Sequence, residues 1–194
     1  WASYWHQIKN FLEYEPASVL EVGVGAGVFG AVLRQLGTSV TTVDLDVRLR
    51  PSCAATVREL PFADRSFSVA ACFQVLEHLP FVEFEPAVRE LLRVSEKGVV
   101  LSLPDRNRTL RFAAHIPRRG LARWMVELPR LRAQRLEFDG QHYWEIGCEG
   151  YGLEALEAAV LHTGATIVRS YRVFDWPYHR FMLLRPALTE AVSL

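Results

Sequence analysis

Four glycines and one carboxylate stand together near the start of the chain, in the segment VLEVGVGAGVFG at 19–30. Glu21 comes just before Gly23, Gly25 and Gly27, and the fourth glycine closes the segment. A backbone without Cβ atoms lets a ligand approach main-chain N–H groups closely. A tight turn alone needs only one or two glycines. The spacing therefore predicts a binding site where a strand ends and a helix begins.

Two classes of ligand fit these glycines. The pattern GxGxxG at 25–30, with Asp44 about 20 residues further on, is typical of dinucleotide-binding sites. Glu21, however, would repel a pyrophosphate by about 4 kcal/mol per unit charge at about 4 Å and an effective dielectric near 20. S-adenosylmethionine carries an ammonium and a sulfonium, which a carboxylate attracts. Glu21 therefore favours this methyl donor, and an NAD(P)-binding Rossmann oxidoreductase is the alternative.

The elements around the glycines follow from the spacing of apolar residues. Helices are predicted over 4–14, 28–36, 85–94 and 151–162. Strands are predicted over 17–22, 39–45, 67–73 and 98–103, and the two segments 165–174 and 178–185 form a C-terminal antiparallel hairpin. Strand, helix and strand follow one another within 17–45, which predicts a parallel βαβ unit. The fold class is α/β, with a doubly wound, Rossmann-like sheet.

Composition limits the class of protein. The chain has 194 residues and is 50% hydrophobic, which predicts a single domain over 1–194. Its formal net charge is zero, so no overall field attracts nucleic acid or a membrane. Cys53, Cys72 and Cys148 have no paired spacing, which predicts neither a zinc site nor disulfides and favours a reducing, cytoplasmic location. No apolar stretch approaches the roughly 18 residues of a membrane span.

Several motifs in order resemble one family. VLEVGVGAG is similar to the first motif of class I S-adenosylmethionine-dependent methyltransferases, and LPFADRSFSVAACFQVLEHLPF at 60–81 resembles their type 11 group. VRELLRVSEKGVVLSLPDRN at 88–107, HYWEIGCEGYG and the closing PYHRFMLLR also fit. The resemblance covers most of the chain outside an insertion at about 105–146. It implies a seven-stranded sheet, mostly parallel with an antiparallel last strand, and S-adenosyl-L-methionine as cofactor.

The resemblance also implies a set of cofactor-binding positions, which are Glu21, Gly23, Gly25, Gly27, Asp44, Thr56, Val57, Phe73 and Gln74. Glu21 and the glycine backbone would face the methionine end of the cofactor, and Asp44 would accept hydrogen bonds from the ribose hydroxyls. Thr56 stands where the family commonly has an acid that accepts from adenine. Ser68 replaces another acid of the family pattern. These two departures leave a non-catalytic cofactor-binding module as a further alternative.

The acceptor of the methyl group is less readable, and no catalytic residue is assigned. His142 is a candidate general base because its ordinary pKa lies near neutral pH, although a hydrogen-bonding role in the wall of the pocket is the favoured interpretation. Trp144 is a second candidate substrate contact, and Glu145 is a weak candidate base. Glu77, His78 and Asp105 are also expected near the mouth of the site. Amide-methylating members carry an Asn/Asp-Pro-Pro-aromatic signature where this chain has FQVLEH, which argues against exocyclic amines as acceptors.

The insertion at about 105–146 is rich in arginine. Nine Arg stand against Asp105 and Glu127 within 105–135, interleaved with apolar residues. We expect this segment to form a lid helix over the carboxyl ends of the strands. Three interpretations of its charge stay open: a solvated face, a site for an anionic acceptor, or a surface for RNA. Together these observations predict methyl transfer to a small-molecule or lipid-like acceptor, with RNA less favoured.

Overall fold

The computed structural model describes residues 1–128, 134–138 and 140–187. Within them the strands are β1 (Ser18–Val22), β2 (Ser39–Asp44), β3 (Cys53–Ala54), β4 (Phe67–Phe73), β5 (Ser95–Pro104), β6 (Thr109–Ile116), β7 (Gly120–Glu127), β8 (Thr166–Arg172) and β9 (His179–Arg185). The helices are α1 (Ala2–Leu12), α2 (Val28–Gln35), α3 (Phe84–Val94) and α4 (Leu153–His162). All helices and strands predicted outside the insertion are confirmed, each end within about three residues.

Seven of these strands form one sheet in the order β3-β2-β1-β4-β5-β9-β8. The pairs from β3 through β5 are parallel, whereas β9 is antiparallel to both β5 and β8. Strand β9 therefore runs opposite to the other six, which confirms the predicted Rossmann-like sheet. The chain moves outward from β1 to β3 and then returns to β4 on the other side of β1. Ligands of open α/β sheets bind at such a reversal, beyond the carboxyl ends of the strands.

The sheet is covered on both faces, so its central strands read as almost continuous apolar runs. Successive side chains of β4 point to opposite faces: Ala70 and Cys72 join one buried cluster, Val69 and Ala71 the other. Residues of α3 and α4 pack in the first cluster, and residues of α1 and α2 in the second. The result is a helix–sheet–helix sandwich that leaves only the strand ends open. Among the described residues, no helix is both long and apolar enough to cross a bilayer.

The second crossover is short. Between β2 and β4 the chain forms a 3-10 turn at Val47–Leu49 and the two-residue strand β3, with no α-helix. Leu49, in this turn, lines a cavity at the ends of the strands. In a longer crossover, a helix would have room to pack at this position. This face of the site is therefore walled by a loop.

The predicted lid helix is wrong for the residues that the structure describes. Strands β6 and β7 form a separate two-stranded antiparallel sheet, in which Phe112 lies opposite Trp124. The turn between them contains Pro117, and Arg118 and Gly120 have positive φ angles of 65° and 80°. Proline and a positive φ end a helix and favour a turn, so this short stretch outweighs the helical spacing of the apolar residues. The last part of the predicted helix, 130–132, lies outside the described residues.

Candidate functional site

The glycine-rich loop connects β1 to α2 at the reversal of the sheet. Gly23 has a φ of 87°, and its N–H donates to the carbonyl of Val43 at 2.8 Å. A Cβ atom on Gly23 would overlap the side chain of Val75. Another side chain at this position would therefore be strained and would clash with Val75. Gly27, the residue before α2, has a φ of 71° and lines neither of the two cavities described next.

Two neighbouring cavities open beside this loop. The first, the apolar cavity, has a volume of about 340 Å³ and lies beyond the ends of β1, β2 and β4. The second, the acidic cavity, measures about 250 Å³ and lies between the loop and α1. Four residues line both cavities, namely Gly23, Gly25, Phe73 and Gln74. The two cavities therefore share a wall, and one elongated ligand can occupy both.

Asp44, Thr56 and Val57, three of the predicted cofactor-binding positions, line the apolar cavity. The Asp44 carboxylate accepts from the N–H of Val24 at 2.8 Å and from the N–H of Asp46 at 2.9 Å. It thereby ties the glycine-rich loop to the end of β2. A carboxylate has about four acceptor positions, so Asp44 can hold the loop and still accept hydrogen bonds from a ligand.

Glu21 lines the acidic cavity, with only 3% of its surface exposed. Its Oε2 has no hydrogen-bond partner among the described residues. A Cβ atom on Gly30 would lie 2.7 Å from that oxygen, so this glycine makes room for the carboxylate. Burial raises the pKa of Glu21 to about 7, and the charge of Asp44 adds to this against the opposing effect of Arg34. Glu21 thus faces the cavity with one carboxylate oxygen that has no hydrogen-bond partner in the described part of the chain.

Gln7 is a second acceptor on the wall of the acidic cavity, and the sequence analysis missed it. It lies on α1, is 7% exposed, and its Oε1 has no partner among the described residues. It stands between Tyr4 and Phe11 on the apolar face of α1, at helical spacing. A polar residue on the apolar face of a helix is the sequence signal that could have identified Gln7. His179 was also missed; it lines the same cavity, and its ring Nδ1 is 2.7 Å from Oγ of Ser3.

Phe73 and Gln74 end β4 between the two cavities. Gln74 has a φ of 54°, a left-handed conformation that is uncommon for a residue with a side chain. Its N–H donates to the carbonyl of Ser102 at 2.9 Å, and its side-chain nitrogen lies 3.3 Å from Oγ of the same serine. Backbone conformations of this kind persist when the surroundings hold them, and they are frequent at functional sites.

The predicted substrate contacts separate into two groups. Trp144 is fully buried, and its Nε1–H donates to the carbonyl of Leu79 at 3.0 Å. The structure therefore places it in the core, where it has no surface to offer a substrate. His142 is partly exposed, and its Nδ1 lies 2.8 Å from Oε1 of the buried Glu145. His78 is the member of this neighbourhood that lines the apolar cavity.

Asp105 and the arginine-rich hairpin serve the fold rather than the cavities. The Asp105 carboxylate is 2.8 Å from Nε of Arg180, and the guanidinium of Arg180 also lies 3.0 Å from Glu127 of β7. Arg123 pairs with Asp175 at 2.9 Å, and Arg111 donates to the carbonyl of residue 174 at 2.8 Å. No residue of β6 or β7 lines either cavity. These two strands therefore form no lid over the site.

Comparison with known proteins agrees with this geometry. Residues 20–103 match the family model described as a methyltransferase domain. An uncharacterized protein of Methanocaldococcus jannaschii is 26% identical over 99 residues, which cover 48% of this chain and 44% of the relative. The chain thus spans less than half the length of the curated relative that it matches.

Solved structures extend the comparison to the whole fold. An S-adenosylmethionine-dependent methyltransferase from Clostridium acetobutylicum superposes with a TM-score of 0.63 at 10% identity, covering 96% of this chain and 91% of that one. The 1,6-didemethyltoxoflavin-N1-methyltransferase of Burkholderia thailandensis, solved with bound 1,6-didemethyltoxoflavin and S-adenosylhomocysteine, gives a TM-score of 0.57 at 18% identity over 94% and 80% of the two chains. Residues 20–103 thus match a methyltransferase domain, and the chain as a whole shares the fold of solved S-adenosylmethionine-dependent methyltransferases.

Proposed function

We propose that this protein transfers a methyl group from S-adenosylmethionine to a small-molecule acceptor. The observation that carries the proposal is the pair of buried acceptor atoms in the acidic cavity, Oε1 of Gln7 and Oε2 of Glu21. A buried polar atom without a partner costs about 1–3 kcal/mol, and more when it is charged. A ligand that brings N–H donors and positive charge would remove that cost.

The amino-acid end of S-adenosylmethionine offers such a group, because its ammonium has three N–H donors and a positive charge. The pyrophosphate of a dinucleotide offers only acceptors and negative charge. It would meet Glu21 at close range, in a cavity that already contains two acceptor atoms with no partner within the described ranges. The acidic cavity thus supports the methyl donor over NAD(P).

The adenosine end would occupy the apolar cavity. Asp44 would accept from the ribose hydroxyls while it holds the glycine-rich loop. Thr56 and the buried Val57 would bound the adenine, with the threonine hydroxyl as acceptor in place of the carboxylate that the family commonly has. The donor supplies a methyl group on a positively charged sulfur, and Phe73 and Gln74, shared by both cavities, would lie beside that sulfur.

The acceptor would approach from the side of His78 and His142. His78 lines the apolar cavity, and the centroids of the two imidazole rings are 4.8 Å apart. The Burkholderia thailandensis neighbour is named for a small-molecule acceptor, which supports the same class here. The hairpin arginines do not support an anionic acceptor, because Arg111 and Arg123 contact residues 174 and 175 instead of a cavity.

Calorimetric titration with S-adenosylhomocysteine tests the donor site. We expect saturable binding to the wild-type chain and a loss of about 10-fold or more in Glu21→Gln, since a hydrogen bond to a charged group contributes about 1.5–3 kcal/mol. Asp44→Ala should weaken binding by a similar factor, because it removes the ribose acceptor and frees the loop. Glu96→Gln makes the same chemical change as Glu21→Gln at the exposed amino end of β5 and should leave the affinity unchanged.

Binding of NADH with no binding of S-adenosylhomocysteine would overturn the proposal in favour of an oxidoreductase. Equal affinities of the wild type and Glu21→Gln would show that the ammonium is held elsewhere. Incubation of the protein with isotopically labelled methyl donor and a small-molecule extract, followed by mass spectrometry, then tests turnover. Binding without any labelled product would favour a non-catalytic module.

A further inference from the structure

Glu77, His78 and His142 form a cluster beside the apolar cavity, and we refer to them as the Glu-His-His cluster. One potential ligand atom from each side chain lies within 4.8 Å of the others. Glu77 and His78 belong to the 3-10 turn Leu76–His78 after β4. The N–H of Tyr143 donates to the carbonyl of Glu77 at 2.9 Å, which holds the segment around His142 against this turn. Residues 64 positions or more apart in sequence are thereby fixed side by side.

Glu77 is the unusual residue of the cluster, because its side chain is 0% exposed. A neutral side chain at this buried position would cost less free energy than a carboxylate. Apart from its own backbone N–H, neither of its carboxylate oxygens has a partner among the described residues. The same molecule supplies arginines to other buried acids, as Arg180 does for Asp105. A buried carboxylate without a partner is stabilised when a cation binds next to it.

The two histidines are oriented for such a cation. Nδ1 of His78 lies 3.0 Å from the carbonyl of Gln141, and Nδ1 of His142 lies 2.8 Å from the carboxylate of Glu145. A carbonyl and a carboxylate only accept, so in both rings the Nδ1–H is the donor. The neutral imidazole then carries its lone pair on Nε2. Hydrogen bonds of this kind from the distal nitrogen to a carbonyl or carboxylate accompany most histidine metal ligands.

The local charge also favours a cation. Glu77 and Glu145 are both buried, at 0% and 1% exposure, and Arg106 pairs with Glu145 at 2.5 Å. Two carboxylates and one guanidinium leave the cluster with one uncompensated negative charge when both acids are ionised. Ligand atoms around a bound ion lie about 3–3.5 Å apart, given bond lengths of about 2.0–2.2 Å. The ligand atoms of Glu77, His78 and His142 lie within 4.8 Å of one another, and rotations of these side chains would bring them to the separation that a bound ion needs.

We infer that Glu77, His78 and His142 bind a divalent transition-metal ion at the edge of the apolar cavity. Two imidazoles and one carboxylate suit Zn²⁺, Mn²⁺, Co²⁺ or Fe²⁺ better than Mg²⁺ or Ca²⁺, which prefer all-oxygen sites. Three protein ligands leave at least one coordination position for water or for an oxygen of a bound molecule. The cysteine spacing gave no indication of this site, because its ligands come from separate segments and from other residue types.

Metal titration of the full chain, prepared metal-free and without any methyl donor, tests the inference. We expect one saturable site for Zn²⁺ by calorimetry, and a visible absorption band when Co²⁺ is added. Glu77→Gln and His142→Asn should each weaken Zn²⁺ binding at least 10-fold and abolish the Co²⁺ band. His115→Ala, an exposed histidine on β6 outside the cluster, should bind as the wild type does.

The stability of the fold and the binding of the methyl donor are measured in separate experiments. The metal-free Glu77→Gln variant should be at least as resistant to heat as the wild type, because the change removes a buried charge without changing the shape. Zn²⁺ should raise the melting temperature of the wild type and of His115→Ala, but not that of the two cluster variants. No saturable metal binding by the wild type, or equal binding by all variants, would overturn the metal site. Titration with S-adenosylhomocysteine is a separate experiment, so its outcome bears only on the proposed function.

Discussion

Asp105 and Glu21 are both buried acids at the carboxyl ends of central strands, yet their surroundings are opposite. Asp105, at the end of β5, is 2.8 Å from Nε of Arg180 and 3.5 Å from Nε of Arg172, and it accepts from the N–H of Asn107 at 2.9 Å. Glu21, in β1, faces a cavity, and one of its oxygens has no hydrogen-bond partner among the residues that the structure describes. The chain supplies guanidinium groups where an acid holds the fold together.

The comparison separates two uses of buried charge. A buried ion pair fixes the relative position of elements, and here Arg180 joins Asp105 after β5 to Glu127 in β7. A buried acid without such a partner is held in place by the rest of the fold, at a cost to stability. Glu21 therefore belongs to the site, and Asp105, which the sequence placed near the mouth, belongs to the scaffold.

Removing an arginine partner of Asp105 should have the largest effect on the free energy of unfolding. We expect Arg180→Met to lower the free energy of unfolding by about 3 kcal/mol, because it takes a guanidinium contact away from the buried Asp105. Chemical denaturation at pH 7 measures the change. A loss below about 1 kcal/mol would show that Arg172 alone compensates Asp105 and would weaken the contrast with Glu21.

A substitution of Glu21 should change the free energy of unfolding in the opposite direction. In the absence of ligand, Glu21→Gln should raise the free energy of unfolding by about 1–3 kcal/mol at pH 8, since the amide carries no charge into the buried site. The same substitution weakens the binding of S-adenosylhomocysteine in our proposal. Greater stability together with weaker binding is expected only of a site residue. A variant less stable than the wild type would make Glu21 a structural residue.

The dependence on pH sharpens this second prediction. The pKa of Glu21 rises from 4.5 to about 7 on folding, because burial disfavours the charged form. Between these two values the folded protein keeps a proton that the unfolded chain has lost, so the stability due to this group falls as pH rises. The advantage of Glu21→Gln over the wild type should grow from about pH 4.5 to 7 and stay constant above. Denaturation curves for both proteins across this range measure it, and a constant difference would contradict the assignment.

The smallest effect is expected at an exposed ion pair. Arg48 and Asp46 are 2.7 Å apart, and 87% of the Arg48 side chain is exposed. Water and salt screen such a pair, so Arg48→Ala should leave the denaturation midpoint unchanged within error. This variant is the control for Arg180→Met, because both remove an arginine from a carboxylate and differ mainly in burial.

Local patterns in the sequence predict most of the helices and strands and the glycine-rich loop, for identifiable reasons. The apolar runs of β4 and β5 and the glycines after β1 are local signals, and they were sufficient to place the sheet and the loop. The hairpin of β6 and β7 was predicted as a helix, because apolar residues at mixed spacing fit both periods and the turn at Pro117 received no weight. Trp144 was predicted as a substrate contact but is buried, and Gln7 was not predicted to line a cavity. Both depend on which segments pack together.

The sequence by itself determined the order of helices and strands, the strand-to-helix turn that needs glycine, and the acid that precedes it, because these depend on neighbours within a few residues. Only the tertiary structure decided which buried acids have partners. Asp105 meets Arg180 from β9, whereas Glu21 faces a cavity and Glu77 meets two histidines, one of them from a distant segment. Pairing of charges is set by distances of a few ångströms between segments far apart in the chain. Local sequence patterns do not contain those distances.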